Sequence, residues 1–153
     1  MTEKEKQLLL KDLCGRLPYG VICHYNCVTP IEGRELRKAN CKDVLKGIIP
    51  TSDGHIGFMV GFDKVNALEG DIKPYLRPLT SWYMTADERI YLLEELGFDA
   101  DLENGELNDF GSYVYRRVNV LPLFDWLNAH HFDYRGLIPM GLALEAPDDM
   151  YKQ

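Results

Sequence analysis

No apolar run in these 153 residues approaches the roughly 18 needed to span a bilayer. Internal repeats and low-complexity segments are also lacking. The glycines of Gly54-His55-Ile56-Gly57-Phe58-Met59-Val60-Gly61 match no dinucleotide or P-loop fingerprint, because no Lys-Ser or Lys-Thr follows them. Nucleophile-elbow and metalloprotease patterns are missing as well, and nothing calls for a cofactor. Cysteine is confined to the first third, at Cys14, Cys23, Cys27 and Cys41. An even count can signal disulfides, but a chain long enough to bury a core does not need them, so reduced thiols are expected. Basic residues are scarce in the second half: residues 80–153 carry 5 Lys+Arg against 14 Asp+Glu. Such a surface repels a phosphate backbone, which disfavours nonspecific nucleic-acid binding by the whole chain.

What is present is ordinary globular composition, 46% hydrophobic and 27% charged. Met1 leads into Thr2-Glu3-Lys4-Glu5-Lys6, too charged for a secretory signal, so a cytoplasmic protein without membrane association is expected. Residues 3–14 read as a helix capped by Thr2, with Leu10, Leu13, Cys14 and Leu17 as its buried stripe and Gly15 as its stop. From Pro18 to Leu79 the pattern changes to short strands. Val21, Cys23 and Tyr25 alternate with Ile22 and His24, and residues 46–49 and 55–62 follow with a turn at 51–54. Residues 33–42 can hold a helical turn, and the prolines near residues 71–79 keep that stretch extended.

Thr85-Ala86-Asp87-Glu88 is a capping box opening a helix with Ile90, Leu93 and Leu96 inward and Gly97 as its terminator. Residues 99–111 form an acidic loop, 112–120 a weak strand, and Pro122 to His130 a short helix. Asp133 can cap a further helical turn through Tyr134 to Ile138. The expected fold is therefore α+β: an N-terminal helix, a small curved sheet or SH3-like barrel, then short C-terminal helices. Residues 1–79 would form the first lobe and residues 80–153 a helical lobe packed on it as one unit.

Four constellations carry chemistry. The segment Trp126-Leu127-Asn128-Ala129-His130-His131-Phe132-Asp133-Tyr134-Arg135-Gly136 packs imidazoles, acid, phenol and guanidinium into one turn. His130 or His131 with Asp133 (or Asp125) would make an acid–base pair. The competing reading has one imidazole capping the last helical turn by bonding a free carbonyl, with Tyr134 packed and Arg135 paired. Cys23, His24, Cys27 and Cys41 supply a zinc-like donor set, but Cys23 and Cys27 lie about 13 Å apart on a continuing strand. Trp82 and Tyr83, with Tyr75 and Arg77 upstream, form either a recognition patch or a seal between sheet and helices. Arg34, Arg37, Lys38, Lys42 and Lys46 make a locally basic stretch that Glu35 and Asp43 interrupt.

Three blocks carry a resemblance: Lys11 to Val21, Lys73 to Leu79, and Trp126 to Ile138 continued by Gly141 to Pro147. Together they resemble a family of small proteins of gut bacteria and their phages. The resemblance implies an intracellular, phage- or mobile-element-associated setting, and brings no activity, cofactor or catalytic residue with it. With no catalytic set outweighing its structural alternative, the leading expectation is a non-enzymatic protein-interaction module. Binding residues would be Trp82, Tyr83, Tyr75, Arg77, Tyr134 and Arg135. A small His130/His131 enzyme and a nucleic-acid accessory factor using residues 34–46 are the alternatives.

Overall fold

The Thr2 hydroxyl accepts from the Glu5 amide while the Glu5 carboxylate takes the Thr2 amide, and this reciprocal cap starts α1 (Glu3–Arg16). In a computed structural model the chain is α+β, and the structure describes residues 1–31, 34–50, 56–61, 63–66, 72–100, 107–109 and 120–151. Two units divide it: Met1–Tyr75 with Leu137–Leu144, and Leu76–Gly136 with Glu145–Gln153.

In the first unit, α1 buries Leu9, Leu13, Asp12 and Arg16, whereas Cys14 is exposed and Leu10 and Leu17 are half-buried. The expected stripe is thus turned around the helix. Asp12 and Arg16 stand one turn apart, neutralise each other, and can go inside together. The helix also runs past Gly15; the stop comes after a 3₁₀ turn (Leu17–Tyr19), where Gly20 takes the left-handed conformation at φ 66°.

The strands are β1 (Ile22–Ile31), β2 (Arg34–Pro50), β3 (Ile56–Val60), β4 (Asp63–Asn66), β5 (Ile72–Leu76) and the two-residue β8 (Leu144–Glu145). They are ordered β4-β3-β2-β1-β5-β8. The stretch read as a possible helical turn is therefore the start of β2. Val21, Cys23 and Tyr25 are buried on one side of β1, as their alternation requires. The 17-residue β2 pairs with β1 along its first part and with β3 along its last, with a register shift at Leu45/Gly47 where it bends. That bend curls the sheet far enough for the Tyr25 hydroxyl on β1 to donate to Asp63 on β4 at 3.0 Å. The sheet does not close into an SH3-like barrel: β4 and β8 remain its two ends. The turn expected at 51–54 lies outside the described residues.

In the second unit, α2 (Ala86–Glu94) begins at the Thr85–Glu88 capping box and ends before Gly97 at φ 76°. Leu96, just past the helix, is buried as expected and Leu93 is half-buried, but the buried residue within the helix is Leu92, while Ile90 is 53% exposed. Glu88 explains the rotation. Its carboxylate turns inward to bind Arg77, and Leu92 continues that face one turn on. The acidic stretch expected as a loop contributes two short strands, β6 (Phe98–Ala100) and β7 (Leu107–Asp109), paired antiparallel. Residues 101–106 and 110–119 lie outside the described residues, and with them nearly all of the expected strand over 112–120.

Helix α3 (Val120–Ala129) places Leu123 and Leu127 against Leu79, Met84, Leu92, Leu96 and Phe132 in one core cluster. Residues 133–138 form turns, so the expected additional helix is not made. No described helix is long and apolar enough to cross a membrane.

Candidate recognition groove in the second unit

The end of α3 explains the density of its sequence. His131 takes the left-handed conformation at φ 59°, a position usually given to glycine. Its amide donates to the Asn128 carbonyl at 3.2 Å and the Phe132 amide to the Leu127 carbonyl at 3.0 Å, closing a Schellman-type end. His130 stacks on Trp126 with centroids 4.3 Å apart, and its Nδ1 lies 2.9 Å from the Trp126 carbonyl oxygen. His131 is 6% exposed and its ring packs at a tilt against Tyr151, with centroids 4.0 Å apart. Asp133 is buried, and its amide donates to the Arg77 carbonyl at 2.8 Å.

Arg77 is held from both backbone and side chain. Its amide donates to the His131 carbonyl at 2.8 Å, which pins Arg77 beside Phe132 in an isolated bridge. Its guanidinium lies 4.2 Å over the Phe132 ring and donates to Glu88 through two nitrogens at 2.6 and 2.8 Å. A further bond goes to the Tyr83 carbonyl. Burial alone would raise the Glu88 carboxyl. The Arg77 bonds, the Thr85 amide, and the charges of Arg77 and His130 outweigh it and hold the group below the usual carboxylate value.

This clamp floors a groove of roughly 870 Å³. Its lining comes from the 3₁₀ turn Ser81–Tyr83 and the start of α2 on one side, and from the chain's last residues on the other. The first side gives Trp82, Tyr83, Met84, Thr85 and Glu88; the second gives Ala146, Pro147, Asp148 and Tyr151. Trp82 is 80% exposed. The Tyr83 hydroxyl donates to Glu145 at 2.5 Å. That bond, slight burial and the negative charges of Glu145 and Asp148 raise its ionisation above the ordinary phenol value.

Of the residues nominated from sequence, Arg77, Trp82 and Tyr83 meet in this groove. Tyr134 and Arg135 are not among its lining residues: Tyr134 packs on Phe124 at 5.2 Å and donates to Asn128, and Arg135 lies over Tyr134 at 4.7 Å. Tyr75 belongs to the first unit, with the Lys42 ammonium 5.4 Å from its ring centre. His130, His131 and Asp133 do not line the groove, although His131 stands behind its Tyr151 wall.

Sequence reasoning missed Met84, Pro147, Asp148 and Tyr151. The available signal was the run Pro147-Asp148-Asp149-Met150-Tyr151, where a rigid residue, two acids and an aromatic follow one another.

In the first unit, Cys23 is buried and its thiol is pushed up to about 12, by burial first and by the Asp12 charge second, against the opposing pull of Arg16. His24 lies on the other face of β1, its Nε2 3.3 Å from Asn40 Oδ1. Cys41 is half-buried. Among the described residues no group of three or more His, Cys, Asp and Glu is placed to hold a metal ion. The side chains of Cys27, Arg34, Arg37 and Lys38 lie outside the described residues, and Lys46 is exposed.

No protein-family model matches the chain, nor does any curated protein or any solved structure.

Proposed function

We propose that this chain is a protein-interaction module that binds through the groove of its second unit. The observation that carries this reading is Trp82: a side chain of this size, 80% exposed, in the lining of the groove. Tryptophan is the residue most often found to dominate binding energy when covered by a partner. A tryptophan needed only for packing would be inside, as Leu92, Leu127 and Phe132 are. The clamp of Arg77, Glu88 and Thr85 keeps the floor rigid, which lowers the ordering cost of binding. The setting would be intracellular and associated with a phage or mobile element.

The test is photo-crosslinking from position 83 or 151 in native cells, with the Trp82→Ala variant as control. One partner crosslinked near stoichiometry, and lost in the variant, is the expected result. Recovery undiminished by Trp82→Ala would remove the groove from the account.

A further inference from the structure

We infer that the occupant of the groove is a cationic, extended protein segment presenting Lys or Arg side chains next to an apolar or proline residue. This deepens the interaction reading and rests on it. Arg77 is the only basic residue among the described groove lining. Its guanidinium is already committed to Glu88 and to the Tyr83 carbonyl, so it is a strut and not a receptor for an incoming anion. A phosphate or an acidic peptide would need several such donors free.

The acids are placed the other way. Asp148 is exposed on the groove wall, and Glu145 is exposed with one oxygen taken by Tyr83. The unit as a whole carries 14 Asp+Glu against 6 Lys+Arg over residues 76–136 and 145–153, so its long-range field attracts cations.

The aromatic walls suit the same ligand. A guanidinium or ammonium over an indole face gains from the ring quadrupole, and tryptophan is the best such partner. Pro147 and the Tyr151 ring offer apolar surface for the side-chain stems or for a proline. An open groove of roughly 870 Å³ leaves room for a short stretch of extended chain.

The experiment pans a displayed library of random short peptides on the full chain, then measures Kd for the best synthetic peptide. Enriched sequences should be rich in Lys and Arg. The best should lose roughly tenfold or more in affinity with Trp82→Ala. Asp148→Asn should cost it roughly two- to fivefold, with further weakening as salt rises. Both positions are exposed, so neither substitution threatens the fold. Neutral or acidic sequences that still require Trp82 would overturn the cationic assignment while leaving the interaction reading intact. No enrichment, or enrichment unaffected by Trp82→Ala, would also overturn it, and the crosslinking of the native partner then decides the broader reading separately. Displacement of the peptide by arginine amide alone at equal concentration would make the occupant a small cation and overturn the segment. Preferential retention of single-stranded oligonucleotide would overturn the sign of the charge.

Discussion

Asp12 with Arg16 and Glu88 with Arg77 are the same kind of pair in different surroundings. Each is a carboxylate gripped by two guanidinium nitrogens, at 2.7 and 3.1 Å in the first unit and at 2.6 and 2.8 Å in the second. The first pair is wholly inside, at 0% exposure for both side chains; the second keeps 15% and 14% of its surface exposed in the floor of a groove. A fully buried pair gains little net stability, because desolvation consumes most of the attraction, but it is costly to break. A pair in a groove floor can hold it in shape while the acids nearby stay available. The two units thus use one chemical device for two ends: letting a helix bury two charged side chains, and shaping a surface.

The largest effect should come from breaking the inner pair. Asp12→Ala leaves Arg16 charged and buried, and should cost about 3–5 kcal/mol in chemical denaturation. Replacing both, Asp12→Leu with Arg16→Met, should return stability to within about 1 kcal/mol of the starting protein. A double variant as unstable as the single one would show that the pair does more than neutralise itself.

Arg77→Met should cost about 2 kcal/mol, read in the second unit by hydrogen exchange, and should weaken the acid sensitivity of that unit. The sign follows from Glu88. Its folded value lies below the ordinary 4.5, so its contribution is present above that value and fades as pH falls through the lower folded one. Glu88→Gln should flatten this acid limb; an unchanged limb would assign it to other carboxylates.

Thr85→Ala should cost about 1 kcal/mol through loss of the cap, visible as a shifted denaturation midpoint. Trp82→Ala should change stability by less than about 0.5 kcal/mol, since the ring is mostly in water. Thermal unfolding of that variant separates surface from core: a large loss would mean that the indole supports the fold.

The same comparison shows which features were legible in the sequence. The Thr85–Glu88 cap and the inward alternation of Val21, Cys23 and Tyr25 depend on neighbours a few residues away, so pattern alone reveals them. The faces of α1 and α2 were misread by part of a turn, because in each a charged residue goes inside. Asp12 does so beside Arg16 on its own helix, and Glu88 toward Arg77, which lies 11 residues away. Hydropathy has no means of anticipating that. The stretch around His130 and His131 was visible as dense, but its left-handed residue was hidden because histidine occupies the place of glycine.

In the groove, Arg77, Trp82 and Tyr83 were named from sequence, and the wall that faces them was not. Tyr83 meets Glu145 across 62 residues of chain, a distance over which only the fold can bring side chains together.

The most direct test uses the chain's two tryptophans, Trp82 in the groove and Trp126 stacked on Phe132 in the core cluster. Their indole N–H signals can be followed by NMR while the best panned cationic peptide, and then its charge-reversed counterpart, are added to the full chain. The account predicts that the cationic peptide moves the Trp82 signal and leaves that of Trp126 in place, and that the reversed peptide moves neither. A Trp82 signal indifferent to the cationic peptide, or equally responsive to both, would contradict it.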